Sequence, residues 1–149
     1  EHKRLYGHKG PDGDGTTPIG VASIVRSGTD LTIVSAMKGV HDSLAAAEIL
    51  ASQGIQAEVI DLRTLRPWDV ESVLASVEKT NRLAVVEEGP RTGGWAAEIV
   101  STIAERALGH LDDIWRITTA DLPIPYSPVL EDAFLPGPEA IVASVLART

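Results

Sequence analysis

From residue 16 onward, short apolar runs alternate with longer stretches in which apolar residues recur every three to four positions. The runs are 19–25, 31–34, "QAEVIDL", "RLAVVEE" and "IWRIT". The helical stretches are "HDSLAAAEILASQG", "DVESVLASVEKT", "GGWAAEIVSTIAERAL" and "PEAIVASVLAR". A two-residue period cannot sit as a helix, nor a 3.6-residue period as a strand, so this alternation argues for a parallel sheet covered on both faces. The first two runs, joined through "RSGTD", predict a hairpin. The expectation is an α/β three-layer sandwich: a mostly parallel sheet of about five strands, one antiparallel edge strand, and helices on both faces.

Local signals fill in this frame. Leu44, Ala47, Leu50 and Ala51 fall on one helical stripe, and Gly54 is placed to end it. Asp69 is a candidate N-cap for a helix whose stripe is Val70, Val73, Leu74 and Val77. Trp95, Ile99, Ile103 and Leu108 form the next stripe, and Pro138 suits the first position of the last helix. "RLAVVEE" is almost wholly apolar in its middle and reads as a central strand, whereas "ADLPIPYSPVLEDAFLPG" is proline-broken and reads as irregular.

At 149 residues this is one domain of ordinary size, and 44% of its residues are hydrophobic. Residues 1–15, "EHKRLYGHKGPDGDG", are polar and without period, and read as a linker from a preceding domain, with the domain proper at 16–149. The absence of cysteine excludes disulfides and thiolate metal sites, and fits a reducing compartment. No apolar run nears the ~18 residues that span a bilayer, so no membrane partner is expected. The net charge of −8 argues against a nucleic-acid backbone as partner and permits a basic protein.

Chemistry is sought first in "VVEEGPRTGGWAAEI", residues 85–99, because strand, glycine-rich turn and helix is how many proteins cradle phosphate. Gly89, Gly93 and Gly94 do not make G-x-G-x-x-G, and Gly94 is followed by Trp95 rather than Lys-Ser/Thr, so neither nucleotide fingerprint is met. Arg91 and the amides near Gly93 could still hold an anion; otherwise the glycines let the helix start tightly against the strand. Glu87 and Glu88 end a strand, where open α/β sheets place ligands, but neighbours on a strand face opposite ways and cannot share one acid/base site without a bulge. The plainer alternative is one exposed carboxylate and one that caps or pairs with Arg91. His2, His8, His41 and His110 show no metal-ligand spacing, and there is no G-x-S-x-G elbow. Neither a catalytic nor a metal set is expected from these residues.

"DLTIVSAMKGVHDSLAAAEILASQGIQAEVIDLRTLRPWD", "RLAVVEEGPRTGGWAAEIVSTIAERAL" and "DLPIPYSPVLEDAFLPGPEAIVASV" resemble the beta subunit of the thiamine-diphosphate-dependent 2-oxo-acid dehydrogenases, the pyruvate, branched-chain and acetoin group. "EHKRLYGHKG" resembles that subunit's interdomain segment, and the remainder its transketolase-type C-terminal domain. "VSAMKGVHDSL" departs from the Tyr-Gly pair more usual there before Val-His.

The resemblance implies an assembly domain of an oxidoreductase, inactive alone. It implies thiamine diphosphate and magnesium in the whole enzyme but none in this domain. The implied partners are an alpha subunit, a second beta subunit and a lipoyl-acyltransferase component. The implied location is cytoplasmic, or the mitochondrial matrix in a eukaryote. It also implies an acidic docking contact at Leu111-Asp112, with Asp113 beside it. Trp68 and Trp95, large apolar groups at element ends, are candidate interface residues. Two other readings stay open: an independent anion-binding module built on Glu87, Glu88, Arg91 and the helix start near Gly93, and a purely structural dimerisation domain.

Overall fold

The computed structural model describes residues 5–7, 9 and 15–148. Most of the 1–15 stretch read as a linker lies outside these residues. The elements run β1 (Ser23–Arg26), β2 (Leu31–Ser35), α1 (Lys38–Ser52), β3 (Ala57–Asp61), α2 (Val70–Thr80), β4 (Arg82–Pro90), α3 (Ala96–Ala107), β5 (Asp113–Thr119), α4 (Pro128–Phe134) and α5 (Pro138–Leu146). The five strands form one sheet in the order β1-β3-β2-β4-β5. Strands β3, β2, β4 and β5 are parallel, and β1 pairs antiparallel at the edge. This is the mixed three-layer architecture expected from the alternation.

Period-two alternation sorts the strand side chains between two cores. Ile33, Val59, Ala84 and Val86 face the layer of α1 and α5, meeting Ala47, Leu50, Ile141 and Val145. Val34, Ile60, Leu83 and Val85 face α2 and α3, meeting Val73, Val77, Ile99 and Ile103. Strand β2 is buried at every position, as a strand covered on both faces requires. Caps match the local chemistry: Asp69 accepts from the Ser72 amide at 3.0 Å, Pro138 opens α5, and Gly54 follows α1 with φ +86°.

Three local expectations are corrected. The hairpin does not form: β1 pairs with β3, Ser23 opposite Asp61 and Ile24 opposite Ile60. The "RSGTD" residues instead carry the chain across the start of β3. Thr29 and Asp30 donate their amides to the Gln56 carbonyl at 2.9 and 3.0 Å, and a Cβ on Gly28 would lie 2.3 Å from the backbone of Ala57 and Glu58. Glycine is needed there because two backbones cross. Secondly, Leu108 is 72% exposed and opens a 3₁₀ turn (Leu108–His110), while Ala107 takes the buried place on the α3 stripe. Five residues beyond Ile103 is off the helical stripe, and four is on it. Finally, the proline-broken segment contains the short helix α4, opened by Pro128.

Candidate functional site

Strand β4 leaves the core through Val86 and delivers Glu87, only 4% exposed, to the start of α3. The chain then turns through Gly93, whose φ of +77° suits glycine, and returns as α3. The amides of Trp95 and Ala96 donate to Glu87 Oε1 and Oε2 at 3.0 and 2.8 Å. A helix N-terminus carries unsatisfied N–H groups and a positive dipole end, so it attracts an anion. Here the anion is the protein's own carboxylate. Two glycines make room for it: a Cβ on Gly89 would lie 2.5 Å from Glu87 Oε1, and one on Gly94 would lie 2.5 Å from Oε2 and 2.6 Å from the Pro90 carbonyl.

The rest of the turn is tied to β5 and the chain beyond it. Arg116 donates to the Arg91 carbonyl at 2.8 Å, and Arg91 donates back to the Arg116 carbonyl at 3.4 Å. Thr92 gives its amide and hydroxyl to Asp121 at 2.8 and 2.7 Å. Those two bonds, hydroxyl first, hold the Asp121 carboxyl below its ordinary value. Gly93 is exposed, Glu88 is half-buried, and the β4–β5 register shifts between Val86 and Pro90.

Trp68 and Trp95 come together: with Leu65, Glu98 and Ile99 they line one small, mostly apolar hollow beside α3. Asp112 and Asp113 lie at the other end of the sheet, where Asp113 pairs in register with Arg82 at the start of β4. Asp113 accepts two bonds from Arg148 at 2.8 and 2.9 Å, and that guanidinium stacks 4.9 Å from the Trp115 ring centre. Asp112 is exposed, and its amide donates to the Asn81 carbonyl at 2.7 Å.

A buried polar cluster escapes the sequence reading. Glu58, 1% exposed on β3, accepts from Ser76 at 2.6 Å and pairs with Lys79, and Ser76 in turn meets Thr32 at 2.6 Å. Burial is the largest influence on Glu58 and pushes its pKa up. The bonds from Lys79, Ser76 and the Gly28 amide together outweigh it, so the carboxyl titrates below its ordinary value. A charged residue between Ala57 and Val59, in the middle of a strand signal, was the available clue.

Residues 20–141 match the family model for the transketolase C-terminal domain, and the chain belongs to that family. Among its relatives, the chain is 44% identical to the acetoin:2,6-dichlorophenolindophenol oxidoreductase subunit beta of Cupriavidus necator, across 97% of this chain and 44% of that one. It is 46% identical to the mitochondrial pyruvate dehydrogenase E1 component subunit beta of Pisum sativum, across 95% of this chain and 42% of that one. The chain thus spans less than half the length of these curated relatives. A split-gene transketolase solved as an inactive beta4 tetramer shares the fold, with a TM-score of 0.80 over 90% of this chain and 44% of that one, at 24% identity.

Proposed function

We propose that this chain is the assembly and partner-docking domain of the beta subunit of a 2-oxo-acid dehydrogenase. The whole enzyme would oxidatively decarboxylate a 2-oxo acid and pass the acyl group to a lipoyl-acyltransferase. The observation that carries this reading is 44–46% identity, along 95–97% of the chain, to the acetoin and pyruvate beta subunits. The geometry weighs against an independent anion-binding module, because Glu87 already occupies the two amides such a module would use.

Thiamine diphosphate and magnesium are the cofactors proposed for the whole enzyme. The residues of this domain do not fit them. Among the described residues no three His, Cys, Asp or Glu side chains are grouped to hold a metal ion, and the start of α3 is filled by a carboxylate where a diphosphate would need it open. In this proposal catalysis belongs to the rest of the enzyme, and this domain contributes surfaces. The proposed partners are the alpha subunit, a second beta subunit and the acyltransferase. Among the described residues no helix is long and apolar enough to cross a membrane. The proposed location is the cytoplasm, or the matrix in a mitochondrial setting.

The test is turnover by the full beta subunit with its alpha partner, offered pyruvate, branched-chain 2-oxo acids and acetoin. Activity on one of them is expected, and activity on none would sink the reading. For docking, the acyltransferase's subunit-binding domain is titrated over the immobilised dehydrogenase at two ionic strengths. Asp112→Ala is expected to weaken binding at least about tenfold at low salt. The difference should shrink at high salt. Equal affinities in all four conditions would remove Asp112 from the interface.

A further inference from the structure

We propose that the cleft between β1 and α2 binds a small primary ammonium compound with a short apolar tail. Ile24, Glu58, Ser72, Ala75, Ser76 and Lys79 line it, and its volume is about 230 Å³. Sites for drug-sized ligands run from about 300 to 1,000 Å³, so this one suits something smaller. The site stands apart from the beta-subunit reading.

The cleft has two kinds of wall. Ile24 stands opposite Ile60 on β3, shares its face of the sheet, and is 52% exposed. With the Ala75 methyl it supplies the apolar side. The polar side is Glu58, on the same face of β3 two residues before Ile60. Ser76 donates to Glu58 Oε1 at 2.6 Å. The Ser72 hydroxyl donates to Asp69 Oδ2 at 2.8 Å and keeps its lone pairs for an incoming donor. Asp69 itself is taken up by the Ala22 and Ser72 amides.

Stability gives little reason for a charge at this place. A buried ion pair is often matched or bettered by apolar side chains of the same volume. Glu58 is 1% exposed, yet the Gly28 amide reaches its Oε2 only at 3.4 Å, and the close partner there is the Lys79 ammonium. The Lys79 side chain is 44% exposed, so its head can move into solvent while its stem stays on α2. Lys79 acts as a built-in occupant that a second ammonium group can displace.

Charge selects the ligand. A carboxylate alone would draw Lys79 away and leave Glu58 a buried anion without its close partner, which is costly. An ammonium group replaces Lys79 like for like, and its apolar tail meets Ile24 and Ala75. The displaced Lys79 is then free to pair with a carboxylate on the same ligand. Two sources carry this chemistry: a simple alkylamine, and an α-amino acid with a short apolar side chain.

The experiment titrates the nitrogen-15-labelled protein with isobutylamine, valine, isobutyrate and potassium chloride, reading amide shifts by NMR. Saturable shifts at Glu58, Ser76 and Lys79 are expected from isobutylamine, valine or both, with Kd below about 10 mM. Which of the two binds identifies the source. Isobutyrate and potassium chloride should leave these residues unmoved. Lys79→Met removes the competing ammonium and should tighten ammonium binding at least about tenfold, whereas Glu58→Gln should weaken it at least about tenfold. A purely structural Glu58–Lys79 pair gives no binding in wild type and none in Lys79→Met. If a variant does not fold, the wild-type titration decides alone. No shift from either ammonium compound, equal shifts from isobutyrate or potassium chloride, or unchanged affinity in folded Lys79→Met would each overturn the proposal and leave the beta-subunit reading standing.

Discussion

Glu58 and Glu87 are both buried carboxylates, yet they sit near opposite ends of the parallel sheet and are held by different means. Glu58, early in β3, is met chiefly by side chains: the Ser76 hydroxyl and the Lys79 ammonium, with a longer contact from the Gly28 amide at 3.4 Å. Glu87, late in β4, is met by the backbone amides that open α3. A buried carboxylate is costly unless its oxygens are satisfied, and both are. The difference lies in what can undo them. Glu58 depends on which side chains α2 presents, whereas Glu87 depends on the path of the backbone and on glycines that leave it space.

The largest expected effect breaks the backbone-held site. Glu87→Ala removes two charge-assisted bonds and strands the buried Ala96 amide, so chemical denaturation should show a loss of about 3–5 kcal/mol. A loss below about 1 kcal/mol would mean that the capping carries little weight. Next is Gly89→Ala, whose Cβ meets nothing nearer than the Glu87 side chain. It should cost about 1–3 kcal/mol in the wild-type background and close to nothing beside Glu87→Ala. A cost unchanged between backgrounds would show that the strain lies in the backbone.

The smallest effect belongs to the side-chain-held site and appears in acid. Because the folded pKa of Glu58 is lowered, its contribution to stability is full above the ordinary glutamate value of 4.5 and is lost as pH falls through the folded value. Glu58→Gln should therefore flatten part of the fall in stability between about pH 5 and pH 3. Asp69, where burial is outweighed by bonds from Ala22 and Ser72, and Asp121 shift the same way, so the comparison of wild type with variant isolates Glu58. Parallel curves would show that Glu58 does not titrate there.

The layers were legible because strand and helix periods differ and each recurs several times. Asp69 and Pro138 were legible because capping and helix entry are chemistry within one turn. The hairpin was misread because "RSGTD" suits either a turn or a crossing, and only packing against the Ala57–Glu58 backbone decides which. Glu58 was missed because its partners lie 18 and 21 residues away and meet it only once α2 is docked. At Glu87 the strand end was visible, but amides eight and nine residues on reach it only through the turn at Gly93.

The crossing that spoiled the hairpin also decides which strand bounds the sheet. Strand β3 is almost wholly buried, and without β1 its flank of unpaired N–H and C=O groups would be a template for another chain. Strand β1 covers that flank and is itself a poor template: four residues long, irregular in register between Ile24 and Arg26, and ending in an arginine whose guanidinium turns back onto the Ala57 carbonyl. It guards against aggregation. A version of the domain beginning at Leu31 would keep every parallel strand and lose its protection against stacking edge to edge.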